Sequence, residues 1–253
     1  MEKGSINNQN NLLSILVPTY NREKELLKLT KEIIIPVSLT YKESVEIIIR
    51  DNSDSGVIKN PLNLNIELPE NVDYKLNKYN LEYHGNIKTL MDLANYNYIW
   101  FWGDDDRYDL KQIYKVIDKV LDKGDEYDAY LPGFSYQCHP QFNSNEIICN
   151  NKNIITLKEL YKVNKQPFAL LSSLVVKNIK IKLTERELHN AFLHAIIFLK
   201  SLKPNSKLWI NNQPTVYYES VSSEVEGLQQ RGITLDYYVN STLDIINCSQ
   251  IYA

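Results

Sequence analysis

The sequence predicts an α/β protein with a mostly parallel central sheet flanked by helices, and three observations carry that reading. Short apolar runs alternate with segments of helical periodicity through the first half of the chain. The three strongest runs each break into a polar cluster: "PTYNR" (18–22), "RDNSDSG" (50–56) and "GDDDR" (103–107). The 253 residues, 43% hydrophobic and 23% charged, suffice for one large domain or two small ones on a shared core.

Taken in order, residues 1–11 form a polar tail. "LLSILVP" (12–18) follows, a buried-strand pattern stopped by Pro18. "TYNREKELLKLTKEI" sets Leu26, Leu27 and Ile33 on one helical face. "SVEIII" is a second buried strand, breaking into a polar turn at Asp51. Residues 60–80 read as a loop around a short strand at Tyr74–Leu76, and "HGNIKTLMDLANYN" as a helix with Ile87, Leu90, Met91 and Ala94 in step. "YIWFW" (98–102) is the next strand, one face in the core and Trp102 approaching the ligand. "LKQIYKVIDKVLDKG" is an amphipathic helix ending at Gly124. The second half is less regular. "AYLPGF", "EIIC" (146–149) and "LLSSLVV" (170–176) read as strands, and Thr156 with Glu159 as a capping box. "TERELHNAFLHAIIFLKSL" (184–202) reads as one long helix, "KLWI" and "TVYYES" as two strands, and residues 234–252 as a terminal helix. A soft boundary at residue 110 separates 12–110 from 111–253, with a shared core.

Composition excludes several classes. A net charge of −3 argues against general nucleic-acid binding. Cys138, Cys149 and Cys248 are odd in number and widely spaced, so neither a disulfide framework nor a zinc site is expected, and "QCHP" (137–140) reads as plain loop. The apolar runs fall short of the roughly 20 residues a spanning helix needs. The polar start lacks the order of a secretory signal. A cytoplasmic protein is expected, with peripheral membrane association left open.

The clusters carry the chemistry. Asp104, Asp105 and Asp106 repel one another, so a cation is expected among them. Adjacent carboxylates at a strand end suit Mn²⁺ or Mg²⁺ completed by substrate phosphates. The plainer alternative is an acidic turn capping the helix that starts near Leu110. At "PTYNR", Tyr20 offers a stacking face, Asn21 a donor–acceptor pair and Arg22 a phosphate-binding fork, unless Asn21 simply caps the next helix. Asp51 can accept from a base or ribose, or build an Asx turn with Asn52 and Ser53. In a parallel sheet, ligands bind outside the carboxyl ends of the strands, so the three clusters are expected to converge.

In that order, "SILVPTYNR", "VEIIIRDNSDSG" and "YIWFWGDDDRY" resemble the family 2 glycosyltransferases of the GT-A fold over roughly residues 12–130, with "WGDDD" similar to the bacterial surface-polysaccharide subset that includes abequosyltransferase-like proteins. Gly103 stands where the family often has a first Asp. The resemblance implies a nucleotide-sugar-binding half and an acceptor-binding half. It implies donor-nucleotide binding by Pro18, Tyr20, Asn21, Arg22, Asp51, Asn86 and Asp104, with metal on Asp105 and Asp106. "NLEYHGN" (80–86) resembles the loop that lies against the nucleotide, with Lys88 as the nearest basic substitute. The reaction implied is inverting transfer from a nucleoside-diphosphate sugar to a glycan or lipid-linked glycan, as in O-antigen or capsule synthesis. Its base is an acidic residue near the start of the 184–202 helix. On that helix Glu187, Asn190 and His194 share a polar flank. Glu187 is the expected base, Glu185 its rival, and His194 a contact for diphosphate or metal. A sugar-nucleotide nucleotidyltransferase and a non-catalytic nucleotide- or sugar-binding module of the same fold are the alternatives.

Overall fold

The computed structural model describes residues 12–53, 66–136, 154–163 and 170–218. The strand expected at 146–149, the loop at 137–140 and the helix at 234–252 lie outside the described residues. Four parallel strands form the first half of the sheet: β1 (Leu13–Thr19), β2 (Val45–Asp51), β3 (Val72–Leu76) and β4 (Tyr98–Phe101), in spatial order β3-β2-β1-β4. Apart from the partly buried Tyr74, their β-branched and aromatic residues are buried on both faces, as a sheet covered by helices on both sides requires. The period of two divides them. Ile15, Val17, Ile47, Ile49 and Trp100 join one core cluster, whereas Leu16, Ile48, Ile99 and Phe101 join the other.

The first cluster is covered by α1 (Glu23–Leu29), α2 (Ile35–Thr40) and α4 (Leu110–Lys123). Between α1 and α2 the helix continues as a π turn over Thr30–Ile34. Pro36 lacks an N–H, and the widened turn lets the helix run past Ile33 to Thr40 instead of ending there. In α4, Ile113, Val116, Ile117 and Val120 are buried at helical spacing, and the Asp109 carboxylate caps the helix by accepting from Gln112 N at 3.0 Å. The second cluster is covered by α3 (Glu82–Leu93), α5 (Leu157–Val163) and α7 (Leu193–Ser201), while the short α6 (Glu185–Leu188) buries none of its residues.

Beyond β4 the sheet changes character. β8 (Val175–Lys177) is antiparallel to β4, and β6 (Ala129–Tyr136) to β8. β9 (Lys207–Tyr218) runs parallel to β6 and antiparallel to β5 (Arg107–Tyr108) and β7 (Ile154–Thr156). Three expectations need correction. "KLWI" and "TVYYES" belong to one strand, because Pro214 sits opposite Gly133 at a register shift that absorbs the irregularity. Of residues 170–176 only Val175 and Val176 are strand; Leu171–Ser173 form a 3₁₀ turn, where Ser173 Oγ donates to Leu170 O at 2.6 Å and competes with sheet pairing. The long helix is broken between Leu188 and Leu193. There the Asn190 side chain accepts from Phe192 N at 2.7 Å, replacing a helical acceptor. The polar flank expected on a continuous helix therefore does not form: α7 is buried from Leu193 to Leu199. The Thr156–Glu159 capping box is present, with Glu159 N donating to Thr156 Oγ1 at 3.2 Å.

Among the described residues no helix is long and apolar enough to cross a membrane.

Candidate active site

β1, β2 and β4 end together, so the three clusters meet at one rim of the sheet. Pro18 pairs with Arg50 and Thr19 with Asp51 in register, and Asn52 N donates to Thr19 O at 2.9 Å. The chain turns sharply at Asn21, whose φ of 53° lies in the left-handed region that Asn tolerates. Its N–H donates to Ser53 Oγ at 2.7 Å, stapling "PTYNR" to the end of β2, while Tyr20 projects outward, 46% exposed.

Asp51 is fully buried. It accepts from Ser53 N at 2.8 Å, Ser53 Oγ at 2.5 Å and Tyr74 OH at 2.7 Å, so the Asx turn and a β3 tyrosine share one carboxylate. Burial, followed by the Asp51 carboxylate, pushes the Tyr74 hydroxyl well above its ordinary range.

The acidic run lies between β4 and β5, both anchored in the sheet. Asp104 is buried and accepts from Thr19 Oγ1 at 2.6 Å and from Arg22 Nη1 at 2.8 Å. The same Nη1 lies 2.6 Å from Asp105, so two carboxylates converge on one cationic atom. Asp106 turns the other way, its Oδ2 accepting from Ser172 Oγ at 2.5 Å and lying 3.5 Å from Tyr108 OH. Gly103 has a steric reason to be glycine: a Cβ there would stand 2.7 Å from Asp106 Oδ2. Burial pushes Asp104 up to about 6 against the opposing pull of Arg22. Burial and then the charge of Asp105 push Asp106 up to about 7. The rim stores unfavourable negative charge that a cation relieves.

A hard divalent ion fits the donor set. The Arg22 Nη1 position shows that Asp104 and Asp105 oxygens can share one cation, and Asp106 Oδ1 takes no hydrogen bond among the described residues. No group of three or more His, Cys, Asp and Glu among the described residues is placed so that it could hold a metal ion by itself. An ion here needs oxygens from a bound phosphate, the usual habit of Mg²⁺ and Mn²⁺.

α3 starts at the same rim. Asn52 Nδ2 donates to Glu82 O at 2.8 Å, and Glu82 takes φ 57°, costly for a residue with a Cβ. Asn86, expected to contact nucleotide, is buried and donates to Arg50 O at 2.9 Å, tying α3 to β2. Lys88 pairs with Asp92 one turn along the helix. From α3, Tyr83 OH lies 2.8 Å from His194 Nδ1, and the His84 ring lies tilted against that of His189, centroids 4.3 Å apart. His194 is 4% exposed and touches α3 through Tyr83. Glu187 is engaged as well: its carboxylate accepts from Thr184 N at 2.7 Å in a capping box and pairs with Lys200 at 2.7 Å. Burial works against ionisation there, yet the Lys200 and Thr184 hydrogen bonds hold Glu187 below the usual carboxylate range. Glu185 is 85% exposed and lies 3.7 Å from His189 Nδ1. Trp102, expected near the ligand, is wholly buried against Trp100 and Tyr108.

Thr19, Tyr74, Tyr83, Tyr108 and Ser172 lie outside the site residues expected from the sequence, where a hydroxyl is their only signal. A separate cleft of about 380 Å³ opens at the opposite end of the strands, lined by Glu46, Asn71, Asp73 and Asp92 among others, and holds none of the expected site residues.

Among known proteins, the abequosyltransferase RfbV of Salmonella typhimurium is 29% identical over 123 residues, covering 47% of this chain and 35% of that protein. The match thus spans about a third of the relative's length. The crystal structure of S. aureus TarS 1–349 superposes with a TM-score of 0.60 at 16% identity, covering 96% of this chain and 69% of that one. The same TarS fragment in complex with UDP-GlcNAc gives 0.59 at 14% identity, covering 96% and 70%. These likenesses fix the fold as GT-A. The family model for glycosyl transferase family 2 matches residues 14–171, more than half of the chain, and the chain belongs to that family.

Proposed function

We propose that the protein is a metal-dependent, inverting glycosyltransferase. It moves a sugar from a nucleoside-diphosphate donor to a hydroxyl of a glycan or lipid-linked glycan during bacterial surface-polysaccharide synthesis, at the cytoplasmic face of the membrane. The observation that carries the reading is the meeting of Thr19–Arg22, Asp51–Ser53 and Asp104–Asp106 at one rim. Family membership supports it, as do the surface-glycan relatives.

In this reading Tyr20 stacks on the base, and Asp51 accepts from base or ribose once the Ser53 hydroxyl gives way. Asp104, fixed by Thr19, accepts from the ribose. Asp105 and Asp106 would hold Mn²⁺ or Mg²⁺, which would offset charge growing on the leaving diphosphate, and Arg22 swings from the carboxylates to the diphosphate. The acceptor oxygen attacks the anomeric carbon, the bond to the diphosphate breaks, and the acceptor proton passes to a carboxylate. Glu187 is occupied by its cap and by Lys200, so Glu185, unburdened by either, is the base we favour. His194 orients Tyr83 at the mouth of the site.

The test is a panel of UDP-, GDP-, CDP- and dTDP-sugars incubated with Mn²⁺ and glycan acceptors. Release of nucleoside diphosphate that EDTA abolishes is expected. Release of pyrophosphate would make the protein a nucleotidyltransferase, and binding without turnover a carbohydrate- or nucleotide-binding module.

A further inference from the structure

Each flanking carboxylate of the acidic run has its own buried hydroxyl. Thr19, from β1, serves Asp104; Ser172, from the turn before β8, serves Asp106. Ser172 is fully buried, and its place is set by the main chain, since its carbonyl accepts from Trp100 Nε1 at 2.9 Å. Gly103 N donates to Ser172 Oγ at 2.9 Å, and Tyr108 OH lies 3.0 Å from the same oxygen. A serine hydroxyl has one proton to give. The amide fills an acceptor site on it and an ionised Asp106 only accepts, so the proton points at Asp106 Oδ2. Gly103 leaves room for that oxygen to fold back against the loop.

We propose that Ser172 is a positioning residue for the metal. It anchors Asp106 Oδ2, fixes the loop at Gly103, and so presents Asp106 Oδ1 outward as a preorganised oxygen ligand. The inference rests on the metal-dependent reading above. Its physics is the general one for metal sites, in which partners behind a ligating carboxylate set its orientation and basicity. Ser172 lies outside every cluster legible in the sequence and one residue beyond the segment matched by the family model.

The test measures Mn²⁺ affinity by electron paramagnetic resonance of free Mn²⁺, with UDP present as the diphosphate probe. Circular dichroism checks folding at the same temperature. Ser172→Ala, and Ser172→Cys as the variant that keeps the space filled with a weak donor, should each raise the Mn²⁺ dissociation constant by about tenfold or more. Ser173→Ala is the control. It loses a buried hydrogen bond to Leu170 O in the same turn without touching the acidic loop, and should leave the constant within about twofold, well below that tenfold rise. Unchanged Mn²⁺ binding in a folded Ser172 variant, or an equal loss in Ser173→Ala, overturns the inference alone. Failure of the wild-type protein to bind Mn²⁺ overturns the metal reading and this inference with it.

Discussion

Arg22→Met is the perturbation whose consequences the structure specifies most fully. Arg22 makes two charge-assisted contacts through one nitrogen, to buried Asp104 at 2.8 Å and to Asp105 at 2.6 Å. Such bonds contribute roughly 1.5–3 kcal/mol each where solvent is excluded. Arg22 and Asp105 are each about a third exposed, so water screens their mutual contact, and most of the loss comes from leaving Asp104 without its cation. The expected cost is about 2 kcal/mol near pH 8, or a melting temperature lower by about 4–8 °C for a chain of this size.

The pH dependence gives the sharper test. Burial raises Asp104 to about 6 in the folded protein even with Arg22 beside it. An acid raised on folding favours the folded state at low pH, so stability falls as pH climbs from the unfolded value of about 4 toward the folded one. Without Arg22 that folded value moves higher and the fall continues further. The gap between variant and wild type should therefore open above about pH 6 and close near about pH 4. Adding Mn²⁺ with UDP should narrow it by supplying a replacement cation. Thermal melts across pH decide the matter. A variant as stable as wild type at alkaline pH, or a gap of constant size at every pH, would refute the reasoning.

Asp105→Ala should reduce transfer more than about 100-fold while leaving the melting temperature almost unchanged, because an exposed pair contributes little and a clustered like charge is removed; steady-state kinetics in limiting Mn²⁺ check it. Asp106→Asn removes a carboxyl that burial pushes up to about 7. Wild type loses stability as pH rises through that window and the amide does not, so the variant should melt higher than wild type at alkaline pH, lose that advantage in acid, and lose activity. Glu185→Gln should lower kcat by about 100-fold or more, whereas Glu187→Gln should lower it far less. Glu187→Ala should cost about 1 kcal/mol of stability through the broken cap, read by denaturant titration.

The parallel half of the fold was legible because its information is local. Leu13–Val17, Val45–Ile49 and Tyr98–Phe101 are apolar on both faces, and each run announces its end with residues that cannot be buried unpaired. The meeting of the three clusters followed from topology alone. What stayed hidden depends on individual side-chain contacts, near or far in the chain, that periodicity does not report. Asn190 breaks the 184–202 helix through a side-chain bond to Phe192 N that no periodicity reports, and that break moves His194 from a polar flank into the core. Ser172 looks like part of a strand until Gly103 and Asp106 are seen beside it. Gly103, a departure from the family pattern when only residue types are compared, has its cause three residues away in the Asp106 side chain.

The most direct test of the central claim is anomalous diffraction from crystals soaked with Mn²⁺ and UDP. One Mn²⁺ peak touching Asp105 and Asp106 and the diphosphate oxygens is expected, with the nucleoside lying between Tyr20 and Asp51. A nucleotide seated elsewhere, or a diphosphate bound at this rim with Mn²⁺ away from the acidic run, would contradict it.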